Sequence, residues 1–356
     1  MAALARIPHP GSGRDLIAGG HVQGLEVDDD GVARFQFLLR PEDPGDLVKQ
    51  ARAAIEGLDG ITAVKINVQL PQMAAAGGGR QGGLKPGSVP APTPKPGVLS
   101  DVGRVIAVSS GKGGVGKSMV SANLAAVFAK QGQAVGLLDA DIYGPNIPLM
   151  FGVNRRPSVT GEKGSELIEP LEAHGVKLMS LGFLLDEDQP AIMRGPLIAG
   201  ILKQFLEQVD WGPLDVMVVD MPPGTGDAQL SLVQSIDVDG AVMVTTPQQV
   251  ATGDVRRGIK MFERVNTRVL GIVENMSGLA CPHCDEIVEV FGSGGGEALA
   301  SEMKVPFLGR VPLDPAVAVA GDQGAPTVLS APGSRAAAAL EDVTAAVSEG
   351  LSALVG

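Results

Sequence analysis

The octapeptide Gly111-Lys112-Gly113-Gly114-Val115-Gly116-Lys117-Ser118 satisfies the pattern G-x-x-x-x-G-K-[ST]. It stands between an apolar, strand-like run, Arg104–Ser109, and a helical pattern reaching to about Gln131. No other feature limits so sharply what this chain folds into. Its glycines let successive backbone N–H groups curl around a phosphate, and the helix behind adds the positive end of its dipole. Lys117 is expected on the β and γ phosphates of a nucleotide, ATP, and Ser118 on its Mg2+. An ordinary glycine-rich turn is the competing reading, but it does not require loop, lysine, hydroxyl and flanking elements to coincide.

A loop of this kind hangs on a sheet. Apolar runs alternate with helical patterns at Ala134–Asp139, Val176–Leu181, Asp215–Asp220, Ala241–Thr245, Val269–Glu274 and Pro306–Val311. Continuous apolar strands are buried on both faces, which predicts an α/β fold with a doubly wound, mostly parallel sheet and ligand sites at the carboxyl ends of its strands. Two acidic clusters fall at such ends, Asp139-Ala140-Asp141 and the stretch Asp220 to Asp227. Asp220 stands where a carboxylate reaches Mg2+, commonly through water. Helix capping is the competing duty, above all for Asp139 and Asp227.

Residues 1–73 read as a small α+β domain, with strands at His21–Asp28 and Val32–Leu39 around Asp30-Gly31, a helix from Pro44 to Leu58 and a last strand Ile61–Val68. Residues 74–99 turn Gly-rich and then Pro-rich, the composition of a linker, and 100–356 form the nucleotide-binding domain. Aromatics are 3% of the chain against 44% apolar residues, so the core is built from Ala, Val, Leu and Ile. A formal charge of −12 repels phosphate backbones and argues against nucleic acid as a partner. No apolar run is long enough for a bilayer, and the start lacks a basic segment followed by an apolar one, so no membrane partner and a cytoplasmic location are expected. Cys281 and Cys284 are the 2 cysteines, too few for a disulfide framework.

Lys112 resembles the signature lysine of the deviant Walker class, which crosses a dimer interface toward the partner's nucleotide. Such a lysine parallels an arginine finger, adding positive charge where the transition state becomes negative. A solvated surface lysine is the alternative. Taken together, the segments GKGGVGKS, LLDADIYGPN, VVDMPPGTGD, VTTPQQ and VENMSGLACPHC, in that order, closely resemble the Mrp/NBP35 family of ATP-dependent iron–sulfur cluster carriers from about Val102 onward. The resemblance implies a P-loop NTPase of ParA/MinD-like build with ATPase activity. It further implies Asp141 as the residue orienting the attacking water, Asp139 in the metal's outer shell, Asn275 as an adenine contact, and Pro312-Leu313-Asp314 in the base pocket. Residues 1–73 are similar to the small domain of iron–sulfur assembly factors. They depart from it at Leu39-Arg40-Pro41-Glu42-Asp43-Pro44, where that domain often carries a cysteine after Thr-Pro. Arg194-Gly195-Pro196 resembles another family stretch of unassigned role.

A Cys-x-x-Cys pair alone suits zinc, a redox dithiol or a cluster. Two thiolates do not close a four-ligand site, but a two-fold homodimer sets Cys281 and Cys284 against their copies, four sulfurs around one [4Fe–4S] cluster. The expected partners are a second copy and the apo iron–sulfur proteins that receive the cluster. His283 is either a spare ligand or a polar loop residue, the second being favoured. A different class of function remains open, a ParA- or MinD-like positioning ATPase acting on DNA or membrane. Its support is the helix bearing Arg256, Arg257, Lys260 and Arg264 as a basic face, whereas the amphipathic segment Ala336–Val355 lacks the Lys and Arg of a membrane-targeting helix.

Overall fold

The computed structural model describes residues 3–7, 15–28, 31–38, 47–58, 60–69, 98–141, 144–161, 166–184, 195–281, 283–284 and 286–353. The chain divides into two compact units, Met1–Ser88 and Val89–Gly356. In the smaller unit, β1 (Val22–Val27) runs antiparallel to β2 (Val32–Leu38); α1 (Leu47–Glu56) then returns the chain so that β3 (Ala63–Gln69) lies parallel to β2. Alternation in β2 buries Ala33, Phe35 and Phe37, and the i, i+4, i+8 stripe of α1 buries Leu47, Ala51 and Ile55 in the same core. The expected start of that helix at Pro44, the cysteine-free stretch 39–44 and the linker from 74 to 97 lie outside the described residues.

The larger unit opens with β4 (Val102–Ser110), α2 (Lys117–Lys130), β5 (Val135–Asp139), α3 (Ile147–Met150) and the short β6 (Val159–Thr160) and β7 (Leu167–Ile168). There follow β8 (Leu171–Ala173), β9 (Val176–Ser180), α4 (Gly195–Gln208), β10 (Leu214–Asp220), α5 (Asp227–Val233), β11 (Gly240–Thr245) and α6 (Gln249–Arg264). The chain ends with β12 (Val269–Ala280), β13 (Ile287–Val288), α7 (Gly295–Met303), β14 (Phe307–Leu313), α8 (Pro315–Asp322), α9 (Thr327–Ser330) and α10 (Arg335–Ser352).

Nine strands form one sheet in the order β13-β12-β11-β4-β10-β5-β9-β8, with β14 also on β12; all neighbours are parallel except the pairs made by β13 and β8. Apolar clusters cover both faces, as the continuous strands predict. Every residue from Lys117 to Phe128 of α2 is buried, because that helix lies between the sheet and α10. One expectation differs from the structure. β12 continues six residues beyond Glu274 to Ala280, because β13 and β14 supply partners there. Among the described residues no helix is long and apolar enough to cross a membrane.

Candidate functional site

The loop between β4 and α2 adopts backbone angles that only glycine takes easily. Gly114 and Gly116 have φ of 78° and 86°, and a Cβ on Gly116 would lie 2.1 Å from Asn275 Nδ2. Gly111 is pressed against α6, where a Cβ would meet Asp254 Cβ at 2.3 Å. The loop is braced from two sides: Asn275 Nδ2 donates to the Val115 carbonyl at 2.9 Å, and Ser110 Oγ donates to the Lys112 carbonyl at 2.9 Å. It borders a cavity of about 280 Å3 whose lining includes Lys112, Gly113, Lys117, Ser118, Asp141 and Met276.

The strand register assembles the acidic side. Asp220 at the end of β10 pairs directly with Asp139 at the end of β5, and Asp220 lies against Lys117 and Ser118 at the start of α2. Asp220 is fully buried and accepts hydrogen bonds from Ser118 Oγ at 2.6 Å and Ser121 Oγ at 2.7 Å. Lys117 Nζ stands 2.8 Å from Asp220 and 3.6 Å from Asp141. Ser118 and Asp220 thus offer converging hard oxygen donors, the chemistry Mg2+ takes, and among the described residues the buried Oδ1 of Asp141 accepts no hydrogen bond that meets the usual geometry. Burial, and then the neighbouring Asp220 charge, pushes the Asp139 carboxyl up to about 8. Burial likewise raises Asp141, opposed by the Lys117 cation.

Asp139 accepts from Ser180 Oγ at 3.0 Å and from the N–H groups of Asp141 at 3.1 Å and Ile147 at 3.3 Å, so it also caps the short α3. Asn275 turns its amide to the phosphate loop, and Asp314 caps α8 through the Ala316 N–H at 2.9 Å while reaching the Ala336 N–H of α10 at 3.3 Å. Both side chains expected at the nucleobase therefore brace protein elements, and Pro312 sits half-buried at the end of β14. The side chain of Asp227 and the whole of Arg194 lie outside the described residues.

Beyond Ala280 the chain leaves β12 and presents the two thiols, Cys281 half-buried and Cys284 exposed. The Cys281 N–H donates to the Glu286 carbonyl at 2.9 Å, which closes the hairpin with β13. Backbone N–H groups of His283 and then Cys284 hold the Cys281 thiol below its ordinary range, favouring the thiolate that binds metal. His283 is exposed, and among the described residues no group of three or more His, Cys, Asp and Glu side chains is placed to hold a metal ion. Cys281 and Cys284 thus bring two sulfurs to this place in the fold.

Sequence reasoning passed over several residues. Buried Gln229 donates to Ser109 Oγ at 2.9 Å and to the Pro222 carbonyl at 2.5 Å, tying the loop after Asp220 to β4; its only signal is a position two residues into the following helix. Buried Glu274, adjacent to Asn275, escaped notice for the same lack of a local pattern. On α6, Arg256 is bound bidentately by Glu302 and Arg257 pairs with Asp254, so half of the expected basic face is neutralised.

Residues 101–348 match the family described as the NUBPL iron-transfer P-loop NTPase. The chain belongs to that family. Residues 1–68 of this iron-transfer P-loop NTPase match in addition the family described as iron–sulfur cluster assembly protein. The iron–sulfur cluster carrier protein of Synechocystis sp. is 46% identical to it over 96% of this chain and 93% of that protein. Among solved structures, the nucleotide-binding protein of Archaeoglobus fulgidus in complex with ADP is 43% identical, covers 65% of this chain and 90% of its own, and superposes with a TM-score of 0.58. The cell division ATPase MinD of Pyrococcus furiosus covers 69% of this chain and 99% of its own at 23% identity and a TM-score of 0.52, a likeness of fold. The fold is thus the doubly wound P-loop NTPase type that the strand pattern predicts, and family membership makes the protein an ATPase.

Proposed function

We propose that the protein is an ATP-dependent iron–sulfur cluster carrier that works as a homodimer, holds one [4Fe–4S] cluster between Cys281 and Cys284 of both copies, and passes it to apo iron–sulfur proteins. One observation carries this reading: a single strand, β12, is bonded through Asn275 to the phosphate loop and ends at Ala280, directly before Cys281. The phosphate loop and the thiol pair are thereby linked by one element. The curated relatives named as carriers support the cargo, since the Synechocystis protein aligns over nearly the whole of both chains.

In this reading Gly111 to Ser118 wrap the triphosphate, and Lys117 neutralises the β and γ phosphates. Ser118 and Asp220 hold Mg2+, which supplies charge neutralisation when bound. Asp141 orients the water whose oxygen attacks the γ-phosphorus as the bond to the β–γ bridging oxygen breaks, and Asp139 supports the outer shell. Lys112 reaches the partner's nucleotide. The base is assigned, from the family resemblance, to the side of Asn275, Pro312 and Asp314. The exposed position of Cys284 suits cargo that must leave.

The test is anaerobic reconstitution of the full chain with iron and sulfide, followed by absorption spectroscopy and sedimentation. Wild type is expected to sediment as a dimer with one cluster per pair. Cys281→Ala should lose iron and sulfide while still binding nucleotide. Unchanged iron and sulfide in that variant, or a loaded monomer, would overturn the proposal.

A further inference from the structure

We infer that Glu274 is a positioning residue that clasps the root of the thiol-bearing hairpin and, with Asn275, couples the phosphate loop to the thiols. The inference rests on the carrier reading and adds to it the element that transmits nucleotide state. Glu274 is fully buried and is the last residue of β12 paired with β11. Its Oε1 accepts from Ser277 Oγ at 2.6 Å and from the Gly294 N–H at 2.9 Å, and its Oε2 accepts from the Gly296 N–H at 2.5 Å. Arg310 Nε, 3.5 Å away, supplies the countercharge.

Ser277 and Gly294 are the two ends of the excursion that contains Cys281 and Cys284. One carboxylate therefore ties Ser277, within β12, to the start of α7, the two positions that bracket the hairpin. A buried carboxylate is stable only when its oxygens are bonded and its charge is met, and here N–H groups at the start of α7, a hydroxyl and a guanidinium do both. Within the run Gly294-Gly295-Gly296, the third glycine follows from this contact and the second from a close approach to Pro247. A Cβ on Gly296 would lie 3.0 Å from Glu274 Cβ, and one on Gly295 would lie 2.0 Å from the Pro247 carbonyl oxygen. A glycine run opening a helix is the usual form of an anion site, and in this protein its occupant is the chain's own Glu274.

The next residue faces the other way. Successive strand residues point to opposite sides, so Glu274 reaches the hairpin root while Asn275 holds the Val115 carbonyl of the phosphate loop. Met276 then lines the nucleotide cavity with φ of 57°, and Gly278 follows with φ of 75°, where the pairing of β12 with β14 shifts register. A loop that closes around phosphate displaces Val115, and rigid adjacent residues carry that displacement to both ends of the thiol excursion.

The experiment measures iodoacetamide alkylation of Cys281 and Cys284 by mass spectrometry in the reduced, metal-free full chain, with and without Mg2+ and ATP. In wild type the alkylation rate should change about fivefold or more on adding nucleotide, the scale of an ordinary coupling between two sites. In Glu274→Gln the two rates should become equal while affinity for a fluorescent ATP analogue is retained. A merely structural role would lower the melting temperature and leave the nucleotide-dependent change intact. If Glu274→Gln does not fold, Ser277→Ala decides, since it removes one bond of the clasp and should reduce the change. Absence of any nucleotide effect in wild type, or a wild-type change in the variant, overturns the inference. Neither result touches iron and sulfide retention in Cys281→Ala, by which the carrier reading stands or falls.

Discussion

Lys117 Nζ lies 2.8 Å from Asp220 Oδ1, a contact in which a fully buried carboxylate at the end of β10 meets the first residue of α2. The same ammonium is within 3.6 Å of Asp141, so one cation balances acids delivered by two neighbouring strands. Phosphate entering the cavity would attract Lys117 away from these acids, and Mg2+ would take its place beside Asp220.

Lys117→Ala should therefore fail twice over. Removing one partner from a buried ion pair costs about 3 kcal/mol, to be read from urea denaturation, and nucleotide binding should be lost. Full binding of a fluorescent ATP analogue by this variant would refute the assigned site.

Lys112→Ala should separate binding from chemistry. Lys112 borders the cavity, while Lys117 is the cation paired with Asp141 and Asp220, so affinity should persist. Steady-state ATP hydrolysis should fall about 1000-fold, the scale of losing a charge supplied across an interface. An unchanged turnover rate would make Lys112 a solvated surface residue.

Asp139 sets a pH dependence. Its carboxyl rises from 3.8 to about 8 on folding, so between those values the folded protein holds a proton that the unfolded chain has released. Stability from this group is complete below pH 3.8, declines as pH rises toward 8, and is lost above it. Asp141, also raised, acts in the same direction. Urea midpoints of the metal- and nucleotide-free protein should fall between about pH 5 and pH 8, and Asp139→Asn should flatten that slope. Midpoints that rise over this range would contradict the assignment.

Gly116→Ala should damage the loop. Its φ of 86° strains any L side chain, and the new Cβ would strike Asn275 Nδ2 at 2.1 Å. A cost of about 2 kcal/mol is expected, with loss of the Asn275–Val115 bond. Gly113→Ala meets nothing within 4 Å and should leave the melting temperature near wild type. Equal stability of the two variants would show that the strand does not brace the loop.

Local signals carried much of this protein. The phosphate loop was legible because its glycines, lysine and hydroxyl are consecutive, and the strands because apolar runs must be buried on both faces. The thiols were legible as a spaced pair. Glu274 and Gln229 were not, because each acts through partners far along the chain, Gly294 and Gly296 for one and Ser109 for the other. Nor did sequence distinguish the braces made by Asn275 and Asp314 from contacts to a base.

The amino-acid sequence by itself determined the order of elements, the glycine-rich loop between β4 and α2 and the spacing of the two cysteines, since these depend on neighbours a few positions apart. Only the tertiary structure decided which acids share Lys117 and that one strand joins the phosphate loop to Cys281. Strand register and close packing set those relationships, and both arise when distant segments are forced into contact around a common core.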